Sequence, residues 1–266
     1  MLIVKVGGGK NINWDYVGLD LARSVVDDQV VLVHGASATR DEIAKKLGLP
    51  TKTIISPSGI TSVYTDESAI DVFLMVYCGL VNKKVVAKLQ KVGINAIGLS
   101  GIDGRLWQAK RKDLVYAVSD GKTKLVRDNF TGRVEKINVE LIKILLANKY
   151  LPVISPPAIS FEGEIVNTDN DWAVAVLAGQ LKADRLVVLF EAPGFLKDAN
   201  NEKSLIRKIA KNQLEDFLPY AQGRMKKKVL GAQKALEMGV KEIFWGDGRI
   251  KNPISKALAG KGTVIE

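Results

Sequence analysis

Short apolar runs alternate with longer amphipathic stretches along most of the chain. The short runs are rich in β-branched and aliphatic residues and predict buried strands over residues 2–6, 29–33, 94–99, 151–155, 186–190, 242–245 and 263–265. The longer stretches predict helices over residues 15–26, 40–47, 66–92, 139–148, 170–182, 225–238 and 253–258. Because strands and helices alternate, we expect an α/β protein: a three-layer αβα sandwich around a mainly parallel sheet.

The pattern changes between residues 105 and 134, where short pieces alternate polar and apolar positions between turns. This region predicts a β-hairpin excursion from the sheet.

The parts of the chain on either side of residue 160 also differ. Residues 1–160 carry two small-residue turns after strands, whereas residues 161–266 carry strand–turn–helix units suited to a nucleotide. We therefore expect two lobes of one continuous fold, with the cleft at the carboxyl ends of the strands.

Composition and charge narrow the class of protein. The formal net charge is +10, which favours anionic partners, but aromatic residues make up only 6% and no nucleic-acid reader motif is present. A small anionic substrate or an acidic protein is therefore the expected partner, rather than nucleic acid or a membrane. The single cysteine, Cys78, excludes an intramolecular disulfide. We expect a cytoplasmic protein, since no signal peptide or membrane-spanning stretch is evident.

A lysine lies inside the first apolar run, which glycines follow at once. Lys5 interrupts an apolar strand, and Gly7, Gly8 and Gly9 come directly after it. Burying an ammonium is costly unless it is paired, and glycines let backbone N–H groups close on an anion. The segment therefore predicts a phosphate site. The alternative is a strand-end lysine that extends to water above an ordinary turn.

The second strand also ends in a turn of small residues, His34-Gly35-Ala36, before a helix. A helix N-terminus binds anions through its unpaired N–H groups, so two such turns could face one anion. His34 is the only histidine, which argues against a histidine metal site and against a hydrolase triad. We expect it to be a packing or hydrogen-bonding residue.

Two later segments carry charge at predicted helix starts. Asn167 to Asp171 either caps a helix through Thr168, with Asp171 at the capping-box position, or places Asn167 on a substrate and Asp171 beside lysines. Lys226, Lys227 and Lys228 open another helix after Gly223, and at most two of them can face a cleft. Cations oppose the helix dipole there, so these lysines form either a solvated helix start or an anion site.

Taken in order, these segments resemble the amino acid kinase family in its acetylglutamate kinase branch. The matching pieces are Lys5-Val6-Gly7-Gly8, Val33-His34-Gly35, residues 59–66, residues 96–104, Tyr150-Leu151-Pro152-Val153, residues 167–171 and residues 225–228. Finer matches at residues 75–83, 103–106, 155–158 and 221–226 look like the lysine-biosynthesis members. Those members phosphorylate 2-aminoadipate while a small acidic amino-group carrier protein holds its amino group.

The resemblance implies the amino acid kinase or carbamate kinase-like fold and a role for each matching residue. Catalysis would fall to Lys5, Lys228 and Asp171. Substrate binding would involve Gly35, Ala36, Val63 and Asn167, and nucleotide binding would involve Gly7, Gly8, Glu191, Gly194, Phe195, Gly223 and Met225. ATP and Mg²⁺ are implied, with no protein metal site, as is a homodimer or higher homo-oligomer.

The chain departs from the family pattern at the substrate end. Val63 stands where the family usually has an arginine that grips the substrate α-carboxylate, and Ala36 replaces a usual glycine, so that its Cβ could crowd the anion. Either another cation such as Arg40 substitutes, or the substrate lacks that carboxylate. The alternatives are therefore an acetylglutamate kinase, a carrier-bound glutamate kinase of arginine biosynthesis, or a nucleotide-binding relative without catalysis.

Overall fold

A computed structural model describes residues 1–112, 114–119 and 121–266. Its strands are β1 Leu2–Val6, β2 Val30–His34, β3 Thr53–Ile55, β4 Thr61–Val63, β5 Ala96–Gly101, β6 Trp107–Arg111, β7 Val115–Ser119, β8 Lys122–Val126, β9 Thr131–Ile137, β10 Leu151–Ser160, β11 Ile165–Thr168, β12 Arg185–Phe190, β13 Phe195–Leu196, β14 Leu205–Ile206, β15 Lys208–Ile209, β16 Glu242–Asp247 and β17 Thr263–Ile265. Its α-helices are α1 Trp14–Asp27, α2 Ser37–Lys46, α3 Glu67–Phe73, α4 Asn82–Lys91, α5 Val139–Ala147, α6 Asn170–Gln180, α7 Arg224–Glu237 and α8 Pro253–Leu258. A π-helical segment, Leu74–Val81, joins α3 to α4, so the long helix predicted there is continuous.

Most strands belong to one 11-stranded sheet, in the order β11–β9–β6–β10–β2–β1–β12–β16–β17–β15, with β5 paired to β10. Its central strands run parallel: β1 lies between β2 and β12, and β12 also pairs with β16. Antiparallel pairs occur where β11 joins β10, β9 joins β6 and β17 joins β16. The mainly parallel sheet is thus confirmed. One sheet joins strands from both predicted lobes, and the division at residue 160 stays a prediction.

Helices pack on both faces of the sheet, as β1 shows. Leu2, Val4 and Val6 belong to one apolar core with residues of α1, α4 and α8. Ile3 belongs to the other core, together with α6 and α7. Lys5 lies on the same face as Ile3, because side chains alternate along a strand. The three-layer arrangement is confirmed, and it directs the buried lysine toward α6 and α7.

The predicted hairpin excursion is present, but only part of it leaves the sheet. The strands β7 and β8 form a separate antiparallel hairpin, whereas β6 and β9 are members of the main sheet. Asp113 and Asp120, which fall within this excursion, lie outside the described residues. A second hairpin, β3–β4, was not expected from the sequence. Among the described residues, none of the helices combines the length and the apolar character of a membrane span.

A buried carboxylate fixes the C-terminal helix to the first helix. Asp20, on α1, is fully buried and accepts hydrogen bonds from Ile254 N at 2.7 Å, Ser255 N at 2.8 Å and Ser255 Oγ at 2.5 Å. Negative charge at a helix N-terminus is favourable, and these N–H groups have no partner within α8.

We expect Asp20→Ala to lower the free energy of unfolding by about 2–3 kcal/mol, because it leaves buried donors unpaired. Urea denaturation measures this loss. Asp15→Ala is the matched control on the same helix, since Asp15 makes an exposed ion pair with Lys88, and it should change stability little. Equal losses in the two variants would show that Asp20 has no special role.

Candidate active site

Three charged side chains from three elements meet at the carboxyl end of β1. Lys5 Nζ lies 2.6 Å from Asp171 Oδ1, and Lys228 Nζ lies 3.2 Å from the same oxygen and 3.3 Å from Oδ2. Lys5 is only 4% exposed. Asp171 comes from the first turn of α6 and Lys228 from the start of α7. One carboxylate therefore neutralises one of two buried ammonium groups, and a positive charge remains.

Close packing of α6 on α7 allows this meeting. A Cβ on Gly231 would lie 3.0 Å from the backbone oxygen of Asp171, so the helices approach closely there. Lys228 is three residues before Gly231 and shares its face of the helix. Its side chain can therefore reach the Asp171 carboxylate, which accounts for the predicted association of these residues.

Burial and charge act in opposite directions on the two titrating groups. Burial disfavours ionised Asp171, but the Lys228 and Lys5 ammonium groups outweigh it and hold the pKa of Asp171 well below its usual range. Burial lowers the pKa of Lys228 to about 8, reinforced by Lys5 and opposed by Asp171. The site is thus an electropositive pocket with one cation that titrates near neutral pH.

The glycine turns after β1 and β2 lie in direct contact. A Cβ on Gly8 would fall 2.4 Å from Ser37 N, and one on Gly35 would fall 2.8 Å from Gly8 N. Only glycine fits this contact. The Gly8 carbonyl accepts hydrogen bonds from Ser37 Oγ at 3.1 Å and Ala38 N at 2.9 Å. The start of α2 is thereby held at the cleft, where its N–H groups favour an anion.

The segment before α6 differs from the predicted cap. Asp169, not Thr168, is the N-cap: its side chain accepts from Trp172 N at 3.0 Å. Thr168 Oγ1 is buried without a partner among the described residues. The capping prediction was therefore wrong by one residue. Asn167 lines the cleft, and its amide donates to Thr65 Oγ1 at 3.0 Å.

His34 is a structural residue. Its ring is fully buried, with Nε2 at 3.1 Å from Asn82 Nδ2 and Nδ1 at 3.2 Å from Gly35 O. Burial lowers the pKa of His34 to about 4, so the ring is neutral near pH 7. The expected packing role is confirmed, and proton transfer by this histidine is not part of the site's chemistry.

A cleft of about 1350 Å³ joins these groups. Of the predicted site residues, it is lined by Lys5, Gly7, Gly8, Gly35, Val63, Asn167, Asp171, Glu191, Gly223, Met225 and Lys228. Two of the three consecutive lysines, Lys227 and Lys228, reach it, which agrees with the expected limit. The carboxyl ends of β1, β2 and β12 therefore supply one continuous cleft.

Three predicted site residues lie away from the cleft lining. Ala36 is buried and packs in a small apolar cluster with Ala44 and Phe73, so its Cβ does not crowd the cleft. Phe195 is fully buried, with its ring centroid 6.0 Å from that of Trp245. Gly194 lies against Thr263. After β12 the chain turns back into the core. Gly194 and Phe195 therefore do not line the cleft.

Glu191 has a local structural contact as well as a place on the cleft. Its Oε1 accepts from Asn11 N at 2.6 Å, and a Cβ on Gly9 would collide with its carboxylate. The side chain therefore fastens the glycine loop after β1. This contact places the carboxylate beside the loop, and a direct role toward a nucleotide stays a prediction.

Further basic residues on the cleft were missed in the sequence. Lys112, Arg133 and Arg224 line it, and the Arg133 guanidinium lies 3.5 Å from the centroid of the Trp172 ring. Lys112 is exposed, yet desolvation by the surrounding protein, reinforced by the nearby Arg133, lowers its pKa. Lys112 follows β6 and Arg133 lies on β9, both within the stretch of residues 105–134 that alternates polar and apolar positions. That alternation gave no signal that distinguished cleft-facing cations from solvated ones.

Comparison with solved structures agrees with the fold. An N-acetylglutamate synthase from Neisseria gonorrhoeae superposes with a TM-score of 0.79 at 20% identity, covering 99% of this chain and 58% of that one. An isopentenyl phosphate kinase superposes with a TM-score of 0.66 at 17% identity over 100% of both chains. At these identities the likeness supports the fold alone.

Sequence comparison reaches closer relatives. The chain is 50% identical to the [LysW]-aminoadipate kinase of Deinococcus radiodurans, covering all of this chain and 91% of that one. It is 47% identical to the [LysW]-aminoadipate kinase of Thermus thermophilus over the full length of both. A putative [LysW]-aminoadipate/[LysW]-glutamate kinase of Cenarchaeum symbiosum is 34% identical over all of this chain and 98% of that one. The model of the amino acid kinase family matches residues 1–244, and the chain belongs to that family.

Proposed function

We propose that this chain transfers the γ-phosphoryl group of ATP to the side-chain carboxylate of 2-aminoadipate bound to a small acidic carrier protein. The observation that carries the proposal is the buried pair of ammonium groups on Asp171, beside two glycine turns that leave backbone N–H groups for phosphate oxygens. The substrate is inferred from the names of the two relatives at 47–50% identity. The family supplies the reaction class.

The reaction needs charge compensation and alignment rather than a general base. A carboxylate oxygen of the acid attacks the γ-phosphorus, the bond from that phosphorus to the bridging oxygen breaks, and ADP leaves with the electron pair. Lys5 and Lys228 would stabilise the migrating phosphoryl, whereas Asp171 keeps both ammonium groups aimed at it. The nucleophile is already an anion, so the neutral His34 has no proton to remove.

The nucleotide would lie along the side of the cleft formed by Gly223, Met225 and Glu191. The described residues hold no group of three His, Cys, Asp or Glu side chains that could bind a metal ion. Mg²⁺ usually binds phosphate oxygens and waters with only one or two carboxylates, so we propose that it enters with ATP. When bound, Mg²⁺ would neutralise part of the negative charge of the ATP phosphates.

Trapping of the acyl phosphate tests this proposal. With ATP and hydroxylamine, we expect hydroxamate from carrier-bound 2-aminoadipate, at a rate well above that from carrier-bound glutamate or free acetylglutamate. Preference for carrier-bound glutamate would favour the second activity in the name of the C. symbiosum relative. No product from any of the acids, with nucleotide still bound, would favour a relative without catalysis.

The β7–β8 hairpin is our candidate for the carrier contact. One face of this hairpin exposes Tyr116, Val118 and Leu125, and the opposite face carries the basic Lys122 and Lys124. Tyr116 also lines the cleft. An acidic protein docked there would place its bound acid at the cleft entrance. Complementary charge mainly accelerates association, and salt screens it.

We expect the double variant Lys122→Glu/Lys124→Glu to raise KM for the carrier-bound acid about tenfold, with kcat little changed. Steady-state kinetics at low and high salt measure this effect, which should shrink as salt rises. The double variant Lys251→Glu/Lys256→Glu makes the same charge change near α8 and is the matched control. Equal effects in the two double variants would place the carrier elsewhere.

The lowered pKa of Lys228 predicts an alkaline limit to activity. Its ammonium is charged below about pH 8 and neutral above, so kcat/KM should fall as pH rises through that value. Bound phosphates favour the cation, so the fall in kcat should occur at higher pH. The arginine of Lys228→Arg keeps its charge throughout this pH range, so the residual activity of this variant should not fall as pH rises through about 8. The same alkaline fall in wild type and in Lys228→Arg would exclude Lys228 as its cause.

A further inference from the structure

A buried arginine lies on the cleft beyond the glycine turns. Arg40 is on α2, one helical turn after Ala36, and it lines the main cleft together with Val63 and Phe73. It is 7% exposed despite its charge. The guanidinium carbon of Arg40 lies 5.2 Å from the centroid of the Phe73 ring, so the two groups make a cation–π contact. A guanidinium buried in this way requires an anion within reach, and Asp41 supplies one.

Its anchoring leaves part of the guanidinium free. Arg40 donates from Nε at 3.1 Å and from Nη2 at 2.6 Å, both to Asp41 Oδ1. Thr51 Oγ1 donates to the same oxygen at 2.7 Å and fixes the carboxylate. In the part of the chain that the structure describes, no hydrogen bond involves Arg40 Nη1. The guanidinium is held along one edge, and its other edge is available to a ligand.

A small cavity continues the cleft at this place. It measures about 220 Å³ and is lined by Arg40, Val63, Phe73 and Asp66, among others. Val63 has no group that pairs with an anion. Lys45 also lines the cleft, but it is exposed, and a flexible ammonium in water orients a carboxylate less well than a fixed guanidinium. Arg40 is thus the preorganised cation at this end.

We propose that Arg40 binds the carboxylate of the diacid that is not phosphorylated, and so makes the site selective for a diacid over a substrate that lacks this charge. The inference rests on the proposed function, in which one carboxylate must lie at the γ-phosphate and the other elsewhere. The start of α2 is at the phosphate end of the cleft, and Arg40 is four residues after the N-cap of that helix, Ala36.

The test compares two carrier-bound substrates that differ at one group: 2-aminoadipate and its 1-carboxamide, which keeps the shape but loses the charge. We expect wild type to prefer the acid by about 10²-fold in kcat/KM, since a charged hydrogen-bonded pair is lost with the amide. In Arg40→Gln, turnover of the acid should fall about 10²-fold and that of the amide less than about threefold, so that the preference disappears. Lys45→Gln should keep the preference.

A purely structural role gives a different result. If Arg40 only ties α2 to Asp41 and Phe73, Arg40→Gln lowers kcat/KM equally for acid and amide, and the inference is overturned. Arg40→Lys keeps the charge and should retain a measurable preference for the acid. It therefore tests the inference even if Arg40→Gln fails to fold. Thermal unfolding of both variants checks their folded state.

Equilibrium binding separates this inference from the proposed function. Titration calorimetry with the two carrier-bound compounds needs no turnover. If wild type forms no acyl phosphate yet binds the acid about 10²-fold more tightly than the amide, and Arg40→Gln does not, Arg40 is a carboxylate site in a protein of another activity. If acyl phosphate forms but wild type binds the two compounds equally, only the Arg40 inference fails.

Discussion

Lys5→Met should lower kcat by about 10²–10³-fold while leaving the protein folded and no less stable. The kinetic loss follows because Lys5 supplies one of the two cations that would face the migrating phosphoryl, and it is buried where water cannot replace it. Stability is kept because Lys228 and Asp171 then form a neutral pair. A methionine fills the volume of the lysine stem within the core of the sheet.

Single-turnover phosphoryl transfer and urea denaturation of the same sample measure the two effects separately. Lys234→Met, on α7, is the control, because Lys234 pairs with Glu237 and does not line the cleft. It should keep normal turnover. A Lys5→Met protein with near-normal kcat would refute the assignment of Lys5, whereas a fall in stability equal to the kinetic loss would make its role structural.

Asp171→Asn should destabilise the protein by about 3–5 kcal/mol and also abolish most activity, since it leaves two ammonium groups buried without a counter-ion. The pKa of Lys228 should fall further, because Asp171 is the group that raises it. The alkaline fall in kcat/KM should therefore begin at lower pH than in wild type. Denaturant titration and a pH profile measure these changes.

The matched control is Asp184→Asn. Asp184 also lies between two cations, the N-terminal ammonium at 3.1 Å and Lys241 at 2.8 Å, but about half of its side chain is exposed. Water can solvate both cations after the change, so we expect only a small loss of stability. If both aspartates tolerate the substitution equally, burial is not the reason that Asp171 matters.

The sequence was most informative where one local pattern dictated one structure. The apolar run around Lys5 predicted a buried strand, which the structure confirms. The lysine and the glycines after it left an anion site and a strand-end lysine extending to water as alternatives, and the anion site stays a prediction. The alternation of strand and helix similarly predicted the layers. The partnership of Lys5, Asp171 and Lys228 came from the family resemblance, since residues so far apart in the chain carry no local sign of contact.

The misses have physical reasons as well. The strands β3 and β4 have three residues each, all of them exposed or half-buried, so no apolar period marks them. A Pro-Gly turn predicts that the chain reverses but not toward which side, so the burial of the Phe195 side chain was not foreseen, and its role toward a nucleotide stays a prediction. Thr168 and Asp169 are neighbours that both cap helices well, so only the backbone could decide between them. The Cβ direction of Ala36 likewise depended on packing.

The attachment of α8 to α1 bears on how this protein should be dissected. The family model ends at residue 244, within β16, and a fragment cut there would hold every matched position. It would nevertheless remove both N–H groups that Asp20 accepts from, together with the strand β17 that covers the edge of β16. The unit that the family model delimits is therefore smaller than the unit that folds, and trimming at residue 244 should yield a chain that proteases degrade.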